Sequence, residues 1–149
     1  MLILVDTNVL LRLVEPGHRL HLEASTAIRA LRQAGDSLCI VPQVHYEFWV
    51  AATREVSQNG FGMAPAEAEV TLQRLGPPLF RLLRDERAIY EPWRELVGRY
   101  EVKGKQAHDT RLVAAMLRHG MTHLLTYNLV DFCRFSTIQL IDPSALNLP

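Results

Sequence analysis

Short runs of apolar residues alternate along the chain with longer segments whose apolar residues recur at helical spacing. Apolar runs of four or five residues are typical of strands that are buried on both faces of a parallel sheet. Strands are predicted at 2–5, 37–41, 123–126 and 137–141, with 80–83 as an edge strand. Helices are predicted from Thr7, over 21–34, 42–56, 64–75 and 84–100, and in a last segment that Asp109 heads and Gly120 closes.

This alternation predicts an α/β fold. Strands that alternate with helices favour βαβ units, which build a mostly parallel sheet with helices on both faces. The chain of 149 residues has the length of one domain and shows no internal repeat, so we expect a single domain over residues 1–149. With 48% hydrophobic and 21% charged residues, its composition excludes a disordered or fibrous protein.

Charge and cysteine content narrow the function classes only slightly. Lys plus Arg equals Asp plus Glu at 16 each, so net charge neither supports nor excludes a local basic patch for nucleic acid. Cys39 and Cys133 are isolated, and we expect free thiols in a reducing compartment. No apolar run approaches the roughly 18 residues of a membrane helix. Since the first residues also lack a signal-peptide pattern, we expect a cytoplasmic protein.

Acidic and amide side chains follow the predicted strands or head a predicted helix. Asp6 comes directly after the run 2–5, and Asn128 and Asp131 follow the run 123–126. Asp109 lies at the start of the last long helix. A structural explanation stays open for each, because Asp is also common as a helix cap and is favoured by the helix dipole near an N-terminus.

The helix 42–56 carries a further carboxylate and two apolar faces. Glu47 lies on the same face as Val44 and Phe48, where a charge must be paired, protonated or bound to a metal. Four residues form a second strip on the adjacent side, which we call the outer strip: Tyr46, Trp49, Val50 and Thr53. The outer strip is either buried in a tightly wrapped core or covered by a second copy of the chain in a homodimer.

The sheet edge would bring Asp6, Asp109 and Asp131 together, with Glu47 reaching them from its helix. At about 5 Å and an effective dielectric constant of about 20, each pair of carboxylates repels by roughly 3 kcal/mol. Such a cluster favours a hard divalent cation, and oxygen ligands without zinc-type His/Cys spacing suit Mg²⁺ or Mn²⁺. Hydrolysis of a phosphodiester is the reaction that such a site supports best.

Four motifs in this order resemble the PIN-domain family, and most of all its VapC-type toxins. They are Asp6-Thr7-Asn8, Glu47, the stretch 108–115 (HDTRLVAA) and the stretch 126–132 (TYNLVDF). The resemblance implies a PIN-like three-layer α/β/α sandwich. It also implies a Mg²⁺- or Mn²⁺-dependent endoribonuclease, often dimeric, that is the toxin of a type II toxin–antitoxin pair and is held inactive by a cognate antitoxin.

The resemblance also assigns roles to particular residues. Asp6, Glu47, Asp109 and Asp131 match the family's acidic positions. Asp6 and Asp109 would hold the metal directly or through water, and the other two would orient or deprotonate water or help to hold a second ion. Residues that match orienting polar positions are Thr7, Asn8, Thr126 and Asn128, although either Asn128 or Asp131 faces the metal. Cations near the motifs, which either contact the RNA backbone or form ordinary solvated surface, are Lys103, Lys105, Arg111 and Arg134.

Two other function classes stay open at the level of sequence. One is a catalytically weak PIN-like module that serves to bind a partner protein, which the outer strip of the helix 42–56 also fits. The other is a phosphatase with Asp6 as nucleophile. Phosphatases of the haloacid-dehalogenase type have a second Asp two residues later, where this chain has Asn8, so this reading is disfavoured.

Overall fold

A wholly parallel sheet of five strands forms the centre of the protein. In a computed structural model, which describes residues 1–146, the strands are β1 (Leu2–Val5), β2 (Ser37–Ile40), β3 (Arg81–Leu82), β4 (His123–Leu125) and β5 (Gln139–Ile141). Their order across the sheet is β3-β2-β1-β4-β5, and every neighbouring pair is parallel. The predicted α/β fold is confirmed, with β3 at an edge as expected.

Within residues 1–146, seven helices flank the sheet and complete the predicted three-layer α/β/α architecture. Their bounds are α1 (Thr7–Leu13), α2 (His21–Gln33), α3 (Pro42–Thr53), α4 (Pro65–Leu75), α5 (Tyr90–Arg99), α6 (Gln106–His119) and α7 (Leu129–Phe132). Short 3-10 turns lie at Val56–Gln58, Arg87–Ile89 and Pro143–Leu146. No helix within residues 1–146 is long and apolar enough to cross a membrane.

The core explains why the strand sequences are apolar throughout instead of alternating. Ile3, Leu4 and Val5 of β1 and Leu124 and Leu125 of β4 are all fully buried, because helices cover both faces of the sheet. Residues that pack against them from the helices include Val44, Phe48, Leu112, Val113 and Met116. Cys39 is buried and Cys133 exposed, and both are free thiols.

The structure corrects several details of the sequence prediction. The helix expected over 84–100 begins only at Tyr90, which places Pro92 in its first turn, where no intrahelical N–H bond is lost. Helical spacing with Ile89, Trp93 and Leu96 predicts Ala88 on the inner face of this helix, but Ala88 is exposed. Helical spacing from Asp109 likewise predicts Leu117 in the buried stripe of α6, but Leu117 is 39% exposed. The short helix α7 was not predicted, since four residues carry no readable periodicity.

The outer strip of α3 is largely open in this chain. Tyr46 is 63% and Val50 54% exposed, whereas Phe48 on the opposite side is fully buried. Trp49 and Thr53 are partly buried. The interpretation of α3 as a helix wrapped by its own core is therefore wrong for the outer strip.

The strand order reverses between β1 and β4, and this position organises the candidate site. Val5 pairs with Leu125 at the carboxyl ends of the two strands, and the backbone N–H of Asp6 donates to the Leu125 carbonyl over 3.0 Å. In open α/β sheets, ligands bind in the crevice where the strand order reverses. Residues that directly follow β1 and β4 therefore face one another across the expected binding crevice.

Candidate active site

Asp6 is anchored at the reversal point by three hydrogen bonds. It is the N-cap of α1, and its Oδ1 accepts from the Thr7 backbone N–H over 2.7 Å. Its Oδ2 accepts from the Thr126 hydroxyl over 2.6 Å and from Asn8 Nδ2 over 2.9 Å. Asp6 is thus both the helix cap that its position suggests and a member of the polar cluster, so the two explanations are not exclusive.

Asn8 and Thr126 fix the orientation of that carboxylate. The Asn8 amide also donates to the Thr126 hydroxyl over 3.1 Å, and its Oδ1 accepts from the Tyr127 backbone N–H over 3.2 Å. The Thr126 hydroxyl accepts in addition from the Asn128 backbone N–H over 2.9 Å. Every polar atom of these two side chains is used, so their amide and hydroxyl orientations are determined.

Burial raises the pKa of Asp6 to about 6. The hydrogen bonds from Thr126 and Thr7 oppose this rise, whereas the negative charges of Glu47 and Asp109 add to it. The pKa falls when a carboxylate gains a cation and rises when it is desolvated or placed near other carboxylates. Asp6 therefore lies in a dry, negatively charged environment that a bound cation would relieve.

Glu47 reaches the same cluster from α3, with each carboxylate oxygen bonded to a different donor. Oε2 accepts from the Thr7 hydroxyl over 2.8 Å, and Oε1 accepts from Gln43 Nε2 over 2.8 Å. The charge that the sequence places beside an apolar face is thus satisfied by two neutral donors. The Thr7 hydroxyl thereby joins α1 to α3.

Gln43 is a structural residue of the site that sequence reasoning did not identify. It is only 6% exposed, and its amide also donates to the His108 carbonyl of α6 over 2.8 Å. Its Oε1 accepts from Arg111 Nη1 over 3.2 Å. A signal was present, because a polar residue one helical turn before Glu47 lies between the buried Val41 and Val44.

Asp109 lies in the first turn of α6, at the start of the helix as the sequence predicted. Burial, followed by the charges of Asp131 and Glu47, raises its pKa, while His108 and Arg134 lower it. Among residues 1–146 its side chain makes no hydrogen bond or salt bridge. Of the acidic residues in the cluster, Asp109 is thus the one with both carboxylate oxygens free to take up a ligand.

Asp131 and Asn128 close the cluster from the segment after β4. Asn128 Nδ2 donates to Asp131 Oδ2 over 2.8 Å, and both side chains line a cavity of about 740 Å³ together with Glu47 and Asp109. Because both line the cavity, the structure does not select one of them as the residue that faces a metal. Asp6 is linked to this group through Thr7, which bonds to both Asp6 and Glu47, and through the charges of Glu47 and Asp109, which raise the pKa of Asp6.

The four basic residues near the motifs differ in their surroundings. Lys105 is exposed and lines the cavity, whereas Lys103 is exposed away from it. Arg111 pairs with Asp85 over 3.0 Å and with Gln43, so most of its charge is compensated. Arg134 lies close enough to lower the pKa of Asp109.

The oxygen donors of the cluster fit a divalent cation that keeps most of its water. Within the part of the chain that the structure describes, no three acidic, His or Cys side chains converge closely enough to surround one ion. Hydrogen bonds occupy both carboxylate oxygens of Asp6 and of Glu47, whereas among residues 1–146 both oxygens of Asp109 and Oδ1 of Asp131 accept none. Mg²⁺ keeps several waters and takes one or two protein carboxylates, so this cluster of oxygen donors fits a largely hydrated Mg²⁺ or Mn²⁺.

Comparison with known protein families identifies the fold of the chain that carries this cluster. The PIN-domain model matches residues 3–137, a span that contains every acidic residue of the cluster. The chain belongs to the PIN-domain family. None of the curated proteins matches its sequence significantly.

Solved structures share the PIN fold over nearly the full chain. VapBC2 from Rickettsia felis, bound to a DNA fragment from its promoter, is 14% identical with a TM-score of 0.72, covering 95% of this chain and 98% of its own. VapBC-1 from nontypeable Haemophilus influenzae is 18% identical with a TM-score of 0.63, at 97% and 99% coverage. VapC20 of Mycobacterium tuberculosis, a toxin that cleaves the sarcin–ricin loop, is 17% identical with a TM-score of 0.63, covering 88% of this chain and 93% of its own. At these identities the likeness establishes the fold.

Proposed function

We propose that this PIN-domain protein is a metal-dependent endoribonuclease and the toxin of a type II toxin–antitoxin pair. The observation that carries the proposal is that Glu47, Asp109 and Asp131 line one cavity at the carboxyl edge of the sheet, next to Asp6 where the strand order reverses, and that the pKa values of Asp6 and Asp109 are raised. A fold gains nothing in stability from such mutual repulsion, so the cluster is best explained by chemistry.

Asp109 and Asp6 are the residues that would hold Mg²⁺ or Mn²⁺. Asp109 has free oxygens, and Asp6 is preorganised by Thr126 and Asn8. A bound divalent ion supplies a water of lowered pKa and stabilises negative charge that develops on a phosphate. Glu47 and Asp131 lie on the cavity wall and would orient the attacking water or receive its proton.

The substrate that we propose is RNA, held by its phosphates. Lys105 lies at the cavity and Lys103 two residues earlier, so both are placed to contact a backbone that approaches the carboxylates. The solved relatives with the same fold include a toxin that cleaves the sarcin–ricin loop of RNA and several toxin–antitoxin complexes. These relatives support a cognate antitoxin as the partner of this chain. We also propose the cytoplasm as its compartment.

The open outer strip of α3 supports a protein partner or a homodimer. Tyr46 and Val50 are large, more than half exposed, and close to Glu47 on the same helix. Exposed apolar residues that cluster beside a site are more typical of an interface than of free surface. The same observation favours the second candidate function, a catalytically weak module that binds a protein.

Cleavage of labelled RNA separates these two candidates. We expect wild-type protein to cut RNA with Mg²⁺ or Mn²⁺, and EDTA, Asp6→Asn or Asp109→Asn to abolish cutting. Glu67→Gln is the matched control, because Glu67 is an exposed carboxylate on α4 outside the cluster. Cutting that survives EDTA and Asp6→Asn would refute the assignment of the site. A protein that binds an antitoxin but cuts no cellular RNA would support the binding module instead.

A further inference from the structure

A second cavity adjoins the acidic one and is not explained by the hydrolytic site. It has a volume of about 520 Å³ and lies between α5 and α6. His108 lines both cavities, and its neighbour Asp109 belongs to the acidic cluster. The two cavities therefore adjoin at His108, which places the second cavity within reach of a chain-like ligand held at the carboxylates. We call this second cavity the aromatic pocket.

The wall of the aromatic pocket on α5 is a pair of stacked aromatic rings. Tyr90 and Trp93 lie one helical turn apart, with ring centroids 5.8 Å apart and planes inclined by 27°. Trp93 Nε1 donates to the Ala107 carbonyl over 2.9 Å, which fixes the indole against α6. Tyr90 is 57% exposed. A rigid aromatic surface with one open face is the feature on which unpaired nucleobases stack.

The charges around the aromatic pocket suit a nucleobase better than a phosphate. Arg111 is compensated by Asp85, and Glu86 accepts from Arg118, so both groups present polar atoms without large net charge. A phosphate placed here would meet the Glu86 carboxylate. The uncharged edge of a base carries both donors and acceptors, which match a carboxylate and a guanidinium. Arg87 is exposed at the rim and has no salt bridge among residues 1–146, so its charge is available to a phosphate of the RNA backbone.

We propose that the aromatic pocket is a nucleobase subsite, which stacks an unpaired base of the RNA strand whose phosphate lies at the acidic cavity. This inference rests on the proposed function, which places a phosphate of the RNA strand at the acidic cavity. It adds a contact to a base, which the carboxylates cannot provide. The acidic cluster would engage RNA only at a phosphate, through a bound divalent cation, and is indifferent to the base. The aromatic pocket makes the protein favour single-stranded RNA, because a paired base cannot enter it.

The intrinsic fluorescence of Trp93 provides a direct measurement. The chain has two tryptophans, so Trp49→Phe leaves Trp93 as the single reporter. The probe is a single-stranded oligoribonucleotide of about eight nucleotides, within the size range that such sites cover. It is titrated in EDTA so that no cleavage occurs. An abasic strand of the same length and backbone charge is the control ligand.

We expect the base-bearing strand to quench Trp93 with saturation, and the abasic strand to bind at least about fivefold more weakly. Tyr90→Ala should weaken binding of the base-bearing strand by about five- to a hundredfold, the usual range for loss of one stacking contact. Tyr90→Phe keeps the ring and should bind like wild type. Tyr90 is exposed at the start of α5, where Ala is a good helix former, so the variant should fold.

Other outcomes would overturn the nucleobase subsite, and they can be told apart from results that would refute the nuclease assignment. Equal affinity for the two strands, or unchanged affinity in Tyr90→Ala, refutes the nucleobase subsite even if the wild type cuts RNA. Loss of a co-expressed protein partner in Tyr90→Ala, with RNA binding unchanged, assigns the pocket to protein instead. If the strand quenches Trp93 through Tyr90 but no RNA is cut with metal, the subsite stands and the nuclease assignment fails.

Discussion

The ionisation of Asp6 should oppose folding of the metal-free protein at neutral pH. Burial raises its pKa from an ordinary 3.8 to about 6. Each unit of difference between folded and unfolded states corresponds to about 1.4 kcal/mol, so the ionised carboxylate is disfavoured by about 3 kcal/mol in the folded state. The folded pKa of Asp6 lies above the unfolded one. The stability that the protonated carboxyl contributes is therefore fully present below about pH 4 and is lost as pH rises through about 6.

The comparison of wild type with Asp6→Asn isolates this effect. The amide has an acceptor at only one of the two carboxylate positions, so it loses either the bond from the Thr7 N–H or the pair from Asn8 and Thr126, which costs about 1 kcal/mol at every pH. A constant offset cancels when the difference between the two proteins is followed with pH. We expect the free energy of unfolding of wild type, relative to Asp6→Asn, to fall by about 3 kcal/mol between about pH 4 and about pH 7.

Urea denaturation in EDTA at a series of pH values measures this difference. Since Glu47 and Asp109 interact with Asp6, the fall should be spread over more than one pH unit. A difference between wild type and Asp6→Asn that stays constant with pH, within about 0.5 kcal/mol, would refute the reasoning. It would mean that Asp6 is not desolvated as the structure shows.

Three further predictions follow from the same contacts. Saturating Mg²⁺ at neutral pH should raise the free energy of unfolding by about 3 kcal/mol at a hundred times its dissociation constant, measured by denaturation. Asp109→Asn should abolish this gain; an equal gain would place the ion elsewhere. Gln43→Met should lower kcat for RNA about 10- to 100-fold with KM little changed, because Glu47 loses one of its two donors; unchanged kcat contradicts this role. Phe48→Ala should cost about 3–5 kcal/mol of stability and Tyr46→Ala less than about 0.5 kcal/mol, since only Phe48 is buried; equal losses would show that the outer strip is covered in solution.

Much of the architecture could be predicted from the sequence because its signals are local. A four-residue apolar run and the residue that follows it are contiguous, so Asp6 at the end of β1 and the polar segment after β4 were predictable directly. Parallel strands bring such residues to one edge, which predicts that acidic side chains meet there. The helix caps and glycine stops, such as Gly120 after α6, are also encoded within a few residues.

Contacts between distant segments were decided only by the tertiary structure. The bonds from Thr126 to Asp6 and from Gln43 to the His108 carbonyl join residues that are 120 and 65 positions apart. Periodicity indicates that a face is buried but not which partner it meets, so the role of Gln43 was missed. It also left the outer strip of α3 undecided, and it gave no sign that Tyr90 and Trp93 flank a pocket beside Asp109. The sequence by itself determined which groups reach the carboxyl edge of the sheet, because that depends on local strand ends. The packing of α3, α5 and α6 determined how those groups are held and what lies beside them, because hydrogen bonds and cavities depend on three-dimensional distance.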